Sequence, residues 1–265
     1  MKPRALVLQA RGTNRDLDVM DALALAGADP IGVPLNDLRA RKADWDDFQM
    51  LIVPGGFSYA DSLGAGKLLA LDLNSYFEDE IAAFVASGKP VIGICNGFQA
   101  LVKSGILPGN VIASREAVKQ SAQATLTFNE QGHFECRWVN LAPISQVCIW
   151  TRGLADNIAC PIAHGEGNFQ VSDHSLLTTL SSLDQVALTY VFSDGSPAKG
   201  EYPANPNGSA LDIAGICNPA GNVLGLMPHP ENHIHPWQHP LHTRGVNGQS
   251  GLALFENGVK YASNI

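Results

Sequence analysis

Apolar residues fall along this chain in short dense runs, each ended by turn-forming residues. Ala5-Leu6-Val7-Leu8, Met50-Leu51-Ile52-Val53 and Val91-Ile92-Gly93-Ile94 have the continuity of strands covered on both faces, as parallel strands of an α/β fold are. Between them the spacing is helical. Asn14 stands where a cap would, with Asp16 and Asp18 in the first turn, Leu17, Met20, Leu23 and Leu25 along the inner side and Gly27 at the end. Ile31-Gly32-Val33 follows as a strand. Ser75-Tyr76-Phe77-Glu78 matches a capping box, and the helix it opens sets Phe77, Ile81, Phe84 and Val85 on one face before Gly88-Lys89-Pro90 stops it.

Further along, runs give way to alternation. Residues 124–128 and 134–139, separated by Asn129-Glu130-Gln131-Gly132, predict an antiparallel hairpin, and residues 212–217 and 223–227 predict a second. An apolar stretch at 252–261 predicts a closing helix. The expected fold is α/β: an open mixed, mainly parallel sheet flanked by helices, with antiparallel hairpin additions. A length of 265 residues, 45% of them hydrophobic, supplies a large core, and without repeats or polar linkers residues 1–265 read as one domain.

Charge narrows the partners. Seventeen basic residues against 25 acidic ones give a net charge of -8, with no basic run to follow a phosphate backbone, so nucleic acid is not an expected partner. The first apolar run is interrupted at Arg11 and Asn14, too soon for a signal peptide, and no later run approaches membrane-spanning length. A soluble cytoplasmic protein is expected, with no membrane partner. The five cysteines (Cys95, Cys136, Cys148, Cys160 and Cys217) are odd in number and lack a Cys-x-x-Cys pair, which argues against disulfides or a zinc ribbon. Most should be small buried residues; one is a candidate nucleophile.

That one is Cys95. Gly93-Ile94-Cys95-Asn96-Gly97 has the spacing of a nucleophile elbow, where flanking glycines let a strand turn sharply into a helix. A thiol there lies beside the positive end of a helix dipole, which favours thiolate, and the N–H of Asn96 can serve an oxyanion. Alone, Cys95 reads as readily as a buried hydrophobe. Two further segments join it: Pro54-Gly55-Gly56 after a strand, able to bring bare backbone N–H groups to a carbonyl, and His229-Pro230-Glu231, able to supply a base and its orienting carboxylate. Each by itself could be an ordinary turn or loop.

Together these residues resemble a family. Cys-Asn-Gly-Phe-Gln at 95–99, Gly-Gly-Phe-Ser-Tyr at 55–59 and Pro-His-Pro-Glu at 228–231 are similar to the triad, or class I, glutamine amidotransferases. The segments at 61–66, Pro-Ile-Ala-His-Gly-Glu-Gly at 161–167 and Tyr-Pro-Ala-Asn-Pro-Asn-Gly-Ser at 202–209 narrow the resemblance to the glutaminase subunits of phosphoribosylformylglycinamidine synthase. The resemblance implies hydrolysis of L-glutamine to glutamate and ammonia for a synthetase subunit that makes formylglycinamidine ribonucleotide, with a third small subunit left open. It implies Cys95 as nucleophile, His229 as proton shuttle, Glu231 as orienter and an oxyanion hole from Gly56 and Asn96. Gly55, Phe57, Gln99, His164, Gly165 and Glu166 would hold the substrate. This chain would need no cofactor, ATP and magnesium being used by the synthetase.

Five of eight histidines (His229, His233, His235, His239 and His242) fall near the end, which raises a metal site. With no carboxylate or cysteine at tight ligand spacing, a packed loop without metal is the expectation. Rival readings are an amidotransferase for another acceptor, a stand-alone cysteine hydrolase and a silent scaffolding subunit. The 164–167 and 205–209 motifs disfavour the first, and the joint presence of Cys95, His229 and Glu231 disfavours the last.

Overall fold

The computed structural model describes residues 2–109, 123–248 and 250–265. In chain order the elements are β1 (Arg4–Gln9), α1 (Asp16–Leu25), β2 (Asp29–Pro34), α2 (Leu35–Arg39), β3 (Met50–Val53), α3 (Lys67–Tyr76), α4 (Glu78–Ala86), β4 (Val91–Ile94) and α5 (Asn96–Lys103). There follow β5 (Ala124–Thr127), β6 (Glu135–Pro143), β7 (Ile158–His164), β8 (Asn168–Val171), α6 (Ser175–Ser182), β9 (Val186–Val191), β10 (Ile213–Cys217), β11 (Val223–Leu226) and α7 (Leu252–Ala262).

Among the described residues nine strands share one sheet in the order β2-β1-β3-β4-β11-β10-β9-β6-β7. The first five are mutually parallel and the last four pair antiparallel in turn. Five strands plus β9 and β7 thus share a direction, the mixed and mainly parallel sheet expected. The dense apolar runs are its centre: every residue of β3, β4 and β11 is buried. Strands covered by helices on both faces need no polar side, which is why these segments do not alternate.

Several local expectations are corrected. Asn14 does not cap α1; Arg15 stands at that position with no side-chain cap bond. Instead the N–H groups of Asn14 and Arg15 both donate to the carbonyl of Gly55, at 3.4 and 3.3 Å, so tertiary contact takes the groups a local cap would organise. The buried stripe of α1 is Val19, Ala22 and Leu23, whereas Leu17 and Leu25 are 73% and 48% exposed. Burial at 19, 22 and 23 is the i, i+3, i+4 set of a helix face, and Leu17 and Leu25 lie off it. The capping box at 75–78 is also absent. Ser75 lies in the last turn of α3, a helix not foreseen, and α4 begins at Glu78 with no side-chain cap bond, although Phe77, Ile81 and Phe84 are buried as expected.

The first predicted hairpin does not form. β5 pairs antiparallel with β8 in a separate two-stranded sheet, and β6 pairs with β7 and β9. The intervening Asn129 donates its carboxamide to the carbonyls of His133 and His164 and does not close a turn between the two strands. The second hairpin is present, with Ile216 opposite Gly225. Among the described residues no helix is long and apolar enough to cross a membrane.

Candidate active site

Cys95 stands at the carboxyl end of β4, directly before α5, with φ 51° and ψ −105°. A non-glycine residue held at positive φ is strained, and such strain clusters where a side chain must be aimed. Packing makes the elbow's glycines obligatory. A Cβ on Gly97 would lie 1.9 Å from the carbonyl oxygen of Val53, and one on Gly93 would lie 2.5 Å from Leu101 Cδ1 and 2.9 Å from the Gly97 backbone. The elbow is therefore pressed against β3, and only hydrogen fits at either position. The N–H of Cys95 donates to Leu226 at 2.8 Å, tying the nucleophile position to the end of β11.

β11 continues into the segment that carries the other two residues of the cluster. His229 and Glu231 are 3% and 0% exposed, and Nδ1 of His229 lies 2.6 Å from Oε1 of Glu231. Pro230 starts a 3-10 turn that brings the carboxylate back beneath the imidazole. The His229 N–H donates to the carbonyl of Pro161 in β7 at 2.8 Å, and the start of α7 leans on the turn so closely that a Cβ on Gly251 would reach 2.0 Å from Pro230 O. Gly55 lies against both His229 and Cys95: a Cβ on that glycine would be 2.8 Å from His229 Cε1 and 3.5 Å from Cys95 Cβ. Burial pushes the His229 imidazolium down, but Glu231 and then the Cys95 sulfur outweigh it and raise its pKa to about 10. A protonated imidazole between a carboxylate and a sulfur is the charge arrangement of an activated thiol.

Gly56 has φ +146°, a conformation that favours glycine, and a Cβ there would meet Gly12 O at 2.7 Å and Asn14 N at 2.8 Å. Among the described residues its N–H has no hydrogen-bond acceptor. Asn96 is the first residue of α5, so its N–H has none within the helix. Its side chain is committed: Oδ1 accepts from the N–H of Ser58 at 3.1 Å, and Nδ2 donates to Asp61 Oδ1 at 2.9 Å and to Gln99 Oε1 at 3.1 Å.

A cavity of about 160 Å³ opens beside Cys95, with Gly56, Phe57, Gln99, His164, Gly165 and Glu166 on its wall. Gly55 lies behind it. Gln99 is buried with both ends of its carboxamide engaged, since Nε2 donates to the carbonyl of Glu166 at 2.7 Å, so it braces the wall. Phe57 is 45% exposed and stacks with Phe134 at the mouth, ring centroids 6.4 Å apart. Burial, reinforced by nearby His229, lowers the pKa of His164 to about 3. That ring is neutral, and its Nδ1, 3.1 Å from Asn129 Oδ1, carries the proton and donates it. Asn129 Oδ1 also accepts from the N–H of Gly167 at 3.0 Å. The glutamate beside it is held by the N–H of Ala65 at 3.2 Å and by Lys103 at 3.5 Å.

Asn129, Lys103 and Asp61 are parts of this architecture that sequence reasoning missed. Asn129 was absorbed into a turn reading, and Lys103 looks like any basic residue at a helix end. Asp61 stood in a motif with no role attached. Three histidines of the tail pack against aromatic rings. His233 and His239 stand edge-on to Trp138 at 5.0 and 4.7 Å, and His235 stacks on Trp237 at 4.2 Å.

The mixed sheet carries a strained cysteine and a glycine loop to the wall of one cavity, with a buried histidine–glutamate pair behind them, the parts of a thiol site on an α/β fold. Residues 2–262 match the family described as the CobB/CobQ-like glutamine amidotransferase domain, and the chain belongs to that family. It is 60% identical over 269 residues to phosphoribosylformylglycinamidine synthase subunit PurQ of Treponema denticola, covering 98% of this chain and 99% of that protein. It is 41% identical to the PurQ subunit of Dehalococcoides mccartyi, covering 100% and 99%. Among solved structures it resembles a chain of PurLQS from Thermotoga maritima with a TM-score of 0.71 and 33% identity, covering 98% of this chain and 99% of that one.

Proposed function

We infer that this chain is the glutaminase subunit of a phosphoribosylformylglycinamidine synthase. It hydrolyses L-glutamine to glutamate and ammonia, and passes the ammonia to a synthetase subunit that makes formylglycinamidine ribonucleotide for purine biosynthesis. The observation that carries this reading is the buried His229–Glu231 pair, 2.6 Å apart, beside a cysteine held at φ 51° on the wall of a small cavity. Full-length similarity to subunits of that name supports the acceptor.

The chemistry follows from the geometry. His229 already holds the proton of Cys95 as an imidazolium, and the thiolate attacks the side-chain amide carbon of glutamine, forming a carbon–sulfur bond. The N–H groups of Gly56 and Asn96 receive the oxyanion, which costs little reorganisation because neither has an acceptor among the described residues. As the carbon–nitrogen bond breaks, His229 returns the proton to nitrogen and ammonia leaves. Water then attacks the thioester, giving its proton to His229, and glutamate departs with Cys95 restored. Glu231 holds the imidazole with Nδ1 protonated throughout. ATP and magnesium serve the partner, no cofactor serves this chain, and the complex works in the cytoplasm. Similarity to the PurLQS structure supports a synthetase partner and a third small subunit.

The test is ammonia release by the chain alone and with its synthetase and nucleotide substrate. Activation by the partner is expected, and Cys95→Ala should abolish glutamine-dependent synthesis while sparing synthesis from ammonium salts. A rate for the isolated chain that equals that of the complex would favour an independent hydrolase. Equal loss with both nitrogen sources would refute the division of labour.

A further inference from the structure

We propose that Asp61 binds the α-ammonium group of the glutamine substrate and so sets the specificity of the glutaminase for a free amino acid. The assignment rests on the glutaminase reading above. It begins from backbone strain. Tyr59, Ala60 and Asp61 are consecutive non-glycine residues with φ of 54°, 54° and 50°. Left-handed conformation is unfavourable for each, and three in succession persist only where surrounding contacts impose it. Those contacts are present: the Tyr59 hydroxyl donates to Asp72 of α3, the N–H of Ala60 donates to Phe57 O at 2.9 Å, and Ser58 donates to Asn96. This strained segment places Asp61 on the wall of the cavity that Cys95 also lines.

The two other charged or amide side chains on that wall are already committed. Gln99 is engaged at both ends, and Glu166 is matched by Lys103 and by the N–H of Ala65. His164 is neutral. Asp61 accepts from Asn96 Nδ2 at 2.9 Å and from the backbone N–H of Gly66, and among the described residues no Lys, Arg or His nitrogen lies within 4.0 Å of its carboxylate. Burial raises its pKa and Glu166 adds to the rise, while the bonds from Asn96 and Gly66 and the more distant Lys103 oppose it without forming an ion pair, so the carboxylate can still take a counter-charge at contact distance. Glutamine brings such a charge. Its reacting amide and its ammonium stand at opposite ends of a short chain, and the Asn96 link keeps Asp61 next to the residue that follows the nucleophile. A charged hydrogen bond at that point holds the amide against Cys95 and rejects amides without an amine.

The test compares two reagents on Cys95 in the complex with the synthetase, following the Cys95 peptide by mass spectrometry. 6-Diazo-5-oxo-L-norleucine carries the α-ammonium of glutamine, and iodoacetamide does not. Asp61→Asn keeps an oxygen for Asn96 while removing the charge. It should slow labelling by the norleucine reagent by roughly tenfold or more and raise the KM for glutamine comparably, with iodoacetamide labelling unchanged. Equal slowing with both reagents would mean that Asp61 acts only on the elbow through Asn96, and would overturn the assignment. So would no slowing with either. If the norleucine reagent fails to label Cys95 in the unsubstituted protein, the glutaminase reading falls and takes the assignment with it.

Discussion

Glu231→Gln removes one charge from a side chain with no exposure and leaves its shape intact. In the native site the carboxylate accepts from Nδ1 of His229 at 2.6 Å, a charge-assisted bond that matters most when the imidazole is cationic. A hydrogen bond to a charged group contributes about 1.5–3 kcal/mol, and complete burial places this one toward the upper end, so kcat should fall on the order of 10²-fold. A glutamine that presents its amide N–H₂ to Nδ1 would also favour the wrong tautomer and deepen the loss. KM should change little, because Glu231 is not on the cavity wall. Stability should fall at neutral pH, by up to about 3–5 kcal/mol as for a buried pair that loses one partner, with part of the loss offset because Oε2 of Glu231 is buried without a partner among the described residues and neutralising the group relieves its desolvation. With Glu231 gone, burial should bring the His229 pKa well below its native value of about 10. The assays are steady-state glutaminase kinetics in the complex and NMR titration of His229. A variant with native kcat and an unmoved His229 titration would refute the orienting role.

Gly97→Ala should destabilise the chain by about 3 kcal/mol or more, since its Cβ would sit 1.9 Å from a strand carbonyl; a urea midpoint equal to the native one would show that the elbow is not pressed on β3. Two buried histidines should make stability peak between their titrations. His164, held to about 3 when folded, charges more readily when unfolded, so its contribution is full above pH 6.5 and is lost as pH falls from there toward 3. His229, raised to about 10, holds its proton more tightly when folded, so its contribution is full below pH 6.5 and is lost as pH rises through about 10. Urea midpoints across the range should fall on both sides, and Glu231→Gln should flatten the alkaline limb; a native alkaline limb in that variant would contradict the assignment.

What the sequence by itself determined lies where local pattern and final environment coincide. The runs at 50–53 and 91–94 could be read as buried parallel strands because a strand covered on both faces has no polar side to conceal. The elbow at 93–97 was legible because its two glycines and the cysteine fall within five residues, although it is packing against Val53 and Leu101 that makes the glycines obligatory, and the hairpin at 213–226 because its turn residues are local. Long-range pairing has no such signature. Ala124–Thr127 and Asn168–Val171 meet across forty residues, and nothing in the alternation of either names its partner. The caps expected at Asn14 and Ser75 failed because propensity is weak beside a tertiary contact such as that of Gly55 with the start of α1. Asn129, Lys103 and Asp61 gained their places at the cavity only through folding, since their hydrogen-bonding and ion-pair partners lie 35 to 63 positions away. Chemistry that needs one residue in a special conformation is written locally. Chemistry that needs several committed side chains around one cavity is decided by the tertiary structure, because only there is it settled which polar groups are satisfied and which still lack a partner.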